Sequence, residues 1–164
     1  MAAEREDFWG APYPILEESR IGAILPEYGP TGDGVRIVVV GGPDIRLEVQ
    51  LKTVLRRLAA IHGRTLPALR EAVSRQILKK TGLPLAISTS LVLLPLKVRR
   101  PRVARDPTEG FFNVLQVRRT WPAVKKNGRP SIELRGGKGV ELLATREQAV
   151  NQLLTAVFAA RTVL

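Results

Sequence analysis

The chain has 164 residues, enough for one globular domain with a real core and too few for two full ones. Its 45% hydrophobic content is that of an ordinary folded protein, while 26 Lys and Arg against 15 Asp and Glu leave a formal net charge of +11 and a surface that attracts polyanions. Cysteine is absent and His62 is the one histidine, which excludes disulfide frameworks, thiolate metal sites, cysteine nucleophiles and two-histidine zinc sites.

Residues 1–18 read as an acidic N-terminal arm and 19–164 as a single domain. The arm has no signal-peptide pattern, and no apolar run approaches the roughly 20 residues that cross a bilayer. A cytoplasmic protein without a membrane partner is the expectation. Ile21 to Leu25 and Val35 to Val40 read as buried strands separated by the Gly/Pro-rich "PEYGPTGDG". The alternating Ile45 to Leu51 adds a third strand after the turn Gly41-Gly42-Pro43-Asp44, giving a β-meander.

From Leu51 the period becomes helical: Leu51, Val54, Leu55, Leu58 and Ile61 share a face, and Gly63 ends the helix. Thr65 caps a second helix whose stripe is Leu66, Leu69, Val73 and Ile77, running until Gly82 and Pro84 stop it. "LAISTSLVLLPLKV" is β-rich, with Pro95 limiting central pairing, and Gly110 to Val117 reads as one strand. Residues 131–143 form a hairpin around Gly136-Gly137-Lys138-Gly139. The last helix opens on a Thr145/Gln148 capping box and repeats Val150, Leu153, Leu154, Val157 and Phe158. It is short of charge on every face, with only Arg161 ionised beyond Glu147, so the helix is either buried on most sides in its own core, the favoured reading, or the contact of a homo-oligomer. The expected class is therefore α+β: a small antiparallel sheet or meander, a helical hairpin in the middle and a C-terminal amphipathic helix.

Charge is uneven along this order. Residues 1–34 carry net −5, residues 35–96 net +7 and residues 97–138 net +9, the rest being neutral. Within the most basic stretch, Lys97, Arg99, Arg100, Arg102 and Arg105 precede a Pro/Thr/Gly turn, and Arg118, Arg119, Lys125, Lys126 and Arg129 follow the strand after it. Asp106 and Glu109 are the only acids close by, so these ten cations are the candidate polyanion-binding residues. A single strand from Phe111 to Val117 would set both groups at loops of one sheet edge.

Other motifs carry less. "VVVGGPD" lacks GxGxxG and its Pro43 removes an amide, and "RGGKGVE" lacks the Walker spacing, so neither is a phosphate loop. His62 reads as a helix-end residue. Ala59 four residues before Gly63 is a partial helix-turn-helix signal, weakened by Arg64 and Pro67. No carboxylate pairing suggests a nuclease, and neither an enzyme, a metal nor a cofactor is expected.

Taken together and in order, "IGAILPEY" with "GDG", "IHGRTLPALR", "TGLPLAIS", "LPLKVRRP" with "DPTEGFFNV", and "SIELRGGKGVELLATREQAVNQLLTA" resemble the competence transcription factor family, the ComK-like proteins, over about Ile15 to Arg161. The chain departs from the family at His62, where an aromatic is common, at Phe112-Asn113, and in a longer Pro95–Gly110 loop. The resemblance implies a DNA-binding transcription activator that takes paired AT-rich promoter boxes upstream of DNA-uptake genes through the minor groove, as an oligomer. It also implies that the Arg-rich loop reads the DNA, that Gly110 permits the return into the strand, that Lys125 and Lys126 touch phosphate, and that the C-terminal helix packs the hairpin or pairs subunits. Two rivals remain at this stage: an RNA-binding module for structured RNA, and a nucleic-acid-processing enzyme built on Asp44, Glu48 and Glu133.

Overall fold

The continuous apolar runs are strands buried on both faces, which is why they read as runs rather than as alternation. The computed structural model describes residues 17–121 and 128–164. A 3₁₀ turn, Glu18–Arg20, leads into β1 (Ile21–Gly29) and β2 (Gly32–Val39), followed by β3 (Ile45–Leu47). The helical hairpin comprises α1 (Leu51–Ile61) and α2 (Leu66–Ser74), and β4 (Leu85–Ser88), β5 (Leu91–Lys97) and β6 (Glu109–Asn113) complete a six-stranded antiparallel sheet in the order β3-β2-β1-β6-β5-β4. A second sheet, β7 (Val117–Trp121), β8 (Ser131–Leu134) and β9 (Gly139–Glu141), precedes α3 (Arg146–Val163). The fold is α+β.

Successive residues of the large sheet serve opposite cores. Ile24, Ile37, Leu93 and Phe111 pack with Leu51, Val54, Leu55, Leu58, Leu66 and Leu69 of the helical hairpin. Leu25, Val38, Leu94 and Phe112 pack instead with Ile132, Leu134 and Leu142 of the small sheet region and with Ala149 and Ala156 of α3. The hairpin therefore covers one face, and the small sheet with α3 the other.

Capping follows local chemistry. Gly63 has φ +65°, Thr65 Oγ1 accepts the Ala68 amide at 3.3 Å, and the Thr145/Gln148 capping box is complete. Pro95 costs the sheet no ladder bond: its carbonyl accepts from Gln152 of α3 at 3.1 Å, so its nitrogen also faces away from β6, beyond the end of β4.

Five expectations are corrected. β1 and β2 run through most of "PEYGPTGDG", because their register continues to Gly29↔Gly32. β3 stops at Leu47, since the next residues leave the ladder to start α1 with Leu51 already buried. α2 ends at Ser74, and Ile77 reaches a small cluster with Val73, Leu83 and Ala159 from the turn beyond it. The 110–117 strand is broken after Asn113. That fully buried side chain donates to the Ile21 and Ser90 carbonyls and accepts from the Val92 and Leu115 amides, redirecting the chain through the 3₁₀ turn Val114–Gln116 into the other sheet. Finally, α3 buries Ala149, Ala156 and Ala159, while Leu154, Val157 and Phe158 of the expected stripe are 65%, 44% and 51% exposed. Its small residues permit a close approach to β5, and its large ones face outward.

Candidate nucleic-acid interface

Loop 98–108 joins β5 to β6 at the end of the sheet where the β1–β2 turn lies. Backbone bonds from the Val98 and Arg99 amides to the Thr108 carbonyl close its neck, at 2.9 and 3.3 Å. Arg99 then turns inward. Its Nη2 lies 2.7 Å from Asp33 Oδ2, its Nε donates to the Pro107 carbonyl at 2.8 Å, and its guanidinium carbon sits 4.0 Å from the centroid of the Tyr28 ring. With a side chain only 13% exposed, Arg99 is a strut of the loop, and its fork is no longer available to a ligand in the way the sequence cluster suggested.

Tyr28 organises the tip. Its hydroxyl donates to Asp106 Oδ2 and accepts the Arg102 amide at 2.7 Å, while the Arg102 guanidinium carbon lies 4.2 Å from the same ring. One aromatic ring is thus flanked by two guanidinium groups, a contact worth about 0.5–1 kcal/mol each at exposed sites. Asp106 also accepts the Val103 amide at 3.3 Å, and Asp106 N donates to the Val103 carbonyl at 3.0 Å. The acid that looked like a compensating charge is a turn former. Arg100, Arg102 and Arg105 are all exposed and, among the described residues, without an ion pair, with Val103 63% exposed among them.

Gly110 has a steric role. It is not a positive-φ glycine; a Cβ there would come within 2.6 Å of Leu25 Cδ2 and 3.3 Å of Val98 Cγ1. What the position requires is close packing of β6 at the neck of the loop, so the expected sharp return into the strand is not its reason.

The second basic group is divided. Arg119 and Glu133 face each other across β7 and β8, with Arg119 Nε 2.8 Å from Glu133 Oε2, and Arg118 Nη1 lies 3.9 Å from Glu133 Oε1. Lys125 and Lys126 lie outside the described residues. Arg129 is exposed. Its neighbour Pro130 accepts the Leu142 amide at 2.8 Å, and the Leu143 amide donates to the Lys97 carbonyl at 2.8 Å, so Arg129 and the exposed Lys97 come to the same end of the molecule. Only Lys97 and Arg129 are brought together in this way, through the change of sheet at Asn113 rather than along one strand, while Arg118 and Arg119 stay against Glu133.

The two glycine turns dismissed as phosphate loops dock onto each other. Lys138 Nζ, from the β8–β9 turn, donates to Asp44 Oδ1 and to the Val39 carbonyl, both at 2.7 Å, and to the Gly42 carbonyl. Arg36 Nη1 lies 3.0 Å from Asp44 Oδ2, and the Val39 amide donates to Oδ1 at 3.2 Å. Burial pushes the Asp44 carboxyl up, but the bonds from Lys138, the Val39 amide and Arg36, together with the Lys138 charge, outweigh it and hold the group below its ordinary value of 3.8.

The carboxylates named as an enzyme candidate have separate surroundings: Asp44 in this knot, Glu133 against Arg118 and Arg119, and Glu48 beside a cavity of about 330 Å³ shared with Glu27 and Asp33. His62 binds Glu18 through Nε2 at 2.9 and 3.0 Å, and Ser88 Oγ donates to the same carboxylate at 3.0 Å. Among the described residues no helix is long and apolar enough to cross a membrane. Tyr28 and Asp33 were not among the candidate residues, although "IGAILPEY" and "GDG" are part of the family-like pattern that carries them. Neither a protein-family model, nor a curated protein, nor a solved structure matches the chain.

Proposed function

We propose that the protein is a cytoplasmic, sequence-preferring DNA-binding regulator of the competence-activator type, acting on AT-rich promoter boxes through the minor groove and without catalysis. The observation that carries this reading is the built loop. Tyr28, Asp33, Arg99 and Asp106 hold it in one shape, and that shape leaves Arg100, Arg102 and Arg105 exposed and, among the described residues, without a carboxylate partner, Arg102 lying over the Tyr28 ring. A solvated charge run needs no such scaffold. Arginines presented beside a small apolar residue suit a narrow minor groove, where width and negative potential attract guanidinium groups without base-specific bonds.

Lys97 and Arg129 flank the loop and serve the phosphates, with Lys125 and Lys126 proposed to join them. Leu154, Val157 and Phe158 on the outer face of α3 supply the contact with a second copy of the chain, as the family resemblance implies. The RNA reading is the weaker one, because base stacking on single strands asks for exposed aromatics. Among the residues whose burial is described, Phe158 is the exposed large aromatic, and it lies on α3, a different element from the loop.

The test is fluorescence anisotropy with an AT-tract duplex, a GC-rich duplex and a structured RNA, for the native chain and for Arg100→Ala/Arg102→Ala/Arg105→Ala. Preference for the AT tract that the triple variant loses is the expected result. Equal binding of all three ligands, unchanged in the variant, would overturn the reading.

A further inference from the structure

The ion pairs divide the bases of this chain into two kinds. Arg36, Arg46, Arg99 and Lys138 near the ends of the large sheet, and Arg118 and Arg119 on β7, all face carboxylates. Lys52, Arg56, Arg64 and Arg70 do not. All four are exposed, and among the described residues none of their side chains makes an ion pair or a hydrogen bond. They share the helical hairpin: Lys52 and Arg56 one turn apart on α1, Arg64 in the connection, and Arg70 on α2. The apolar stripes of both helices point into the sheet, and these four cations, all exposed, lie outside those stripes. The described acids beside the hairpin are engaged elsewhere, since Glu71 closes onto Arg75 at 2.7 Å and Glu18 onto His62 at 2.9 Å.

We infer that the outer face of the helical hairpin is a second DNA-contacting surface, one that binds the phosphate backbone of a duplex without reading its sequence. The inference rests on the reading of the chain as a duplex binder and assigns it a surface apart from the loop. Loop 98–108 packs on Tyr28, whereas the hairpin begins beyond Glu48, and the carboxylates Glu27, Asp33 and Glu48 line the cavity at the β1–β2 turn that both residues share. Four exposed cations, three on two short helices and one in their connection, make the face positive, and it offers exposed Thr65, Pro67 and Ala68 instead of the groove-reading amides and acids of a base-specific helix. Backbone binding of this kind works by counterion release, so it is legible in salt dependence.

The experiment compares the full chain with Lys52→Ala/Arg56→Ala/Arg64→Ala/Arg70→Ala on AT-tract and GC-rich duplexes of equal length, between about 50 and 200 mM salt, the range over which phosphate contacts are diagnostic. If the four cations each neutralise one phosphate, the slope of log K against log salt becomes shallower by about 3–4, and the advantage of the native chain shrinks about 100-fold across that range. Both duplexes should lose affinity by the same factor, with AT preference retained. An unchanged slope would overturn the inference, as would loss confined to one duplex, or a native chain that binds phosphatidylserine vesicles through these residues and duplexes without them. The loop variant separates the two ideas: a native chain with no AT preference refutes the regulator reading while a hairpin-dependent slope still supports this surface. Should the fourfold variant unfold, Lys52→Ala/Arg56→Ala with an expected slope change of about 2 decides the matter.

Discussion

Replacing Tyr28 by Phe removes one oxygen and tests whether the loop is held or merely adjacent. The ring stays, and with it the two guanidinium contacts at 4.0 and 4.2 Å. What disappears is the donor to Asp106 and the acceptor for the Arg102 amide. A hydrogen bond to a charged acceptor contributes about 1.5–3 kcal/mol and a neutral one about 0.5–1.5 kcal/mol, and partial exposure lowers both, so the loop should lose about 1–3 kcal/mol of its closed state. At about 1.4 kcal/mol per tenfold, loop opening becomes roughly 10- to 100-fold more frequent. Native-state hydrogen exchange reads this directly at the Arg102 and Val103 amides, while global stability in urea changes little because the tip held by Tyr28 belongs to neither core, Val98 at the neck being the loop residue that packs on one. Affinity for an AT-tract duplex should fall by up to the same factor, since the loop's order must then be restored on binding. Tyr28→Leu, which also removes the ring, should fall further. Unchanged exchange at Arg102 in Tyr28→Phe, or fast exchange with unchanged affinity, would refute the argument that loop order supports binding.

Asp44 makes stability depend on acid. Its folded value lies below 3.8, so its contribution is complete above the unfolded value of about 4 and disappears as pH falls through the folded one; urea melts at descending pH should show this loss, and Asp44→Asn should remove it while weakening the neutral protein by about 1–3 kcal/mol through the orphaned Lys138 bonds. Gly110→Ala should destabilise by about 1–3 kcal/mol in denaturant, because Leu25 and Val98 must move from buried or half-buried positions to admit the methyl group; a neutral result would mean the neck is loosely packed. Leu154→Asp with Phe158→Asp should leave the melting curve within about 0.5 kcal/mol of native, as exposed sites do, and convert an oligomer to monomer in sedimentation; a native chain that is already monomeric would contradict the subunit contact.

What was legible in the sequence was whatever a few neighbouring residues decide. Thr65, Gly63 and the Thr145/Gln148 pair announce helix ends because each acts on backbone groups two to four residues away. The hairpin over Gly136 and Gly137 is equally local, with φ +87° and +92°. Asn113 was not legible, since its four partners come from two distant segments, Ile21 and Ser90–Val92, as well as its own. Nor was the orientation of α3: periodicity weights large side chains, while close packing selected Ala149 and Ala156 against the sheet and Ala159 against Val73 and Leu83. Among the loop arginines, composition treats Arg99 and Arg102 alike. Their difference is made by Tyr28 and by Asp33, which lies 66 residues from Arg99 in sequence. The +7 of residues 35–96 was visible as a number, but only the hairpin's outward face shows four of those charges uncompensated.

Minor-groove reading of duplex DNA by loop 98–108 is a proposal that one base-pair substitution tests directly. Substituting inosine–cytosine for the A·T pairs of a bound box decides it, because an I·C pair keeps the minor-groove pattern of A·T and presents the major-groove pattern of G·C. The account predicts that the native protein binds the I·C duplex nearly as tightly as the AT box and that Arg100→Ala/Arg102→Ala/Arg105→Ala weakens both equally. Loss of binding on I·C substitution, with the loop variant behaving like the native chain, would contradict it.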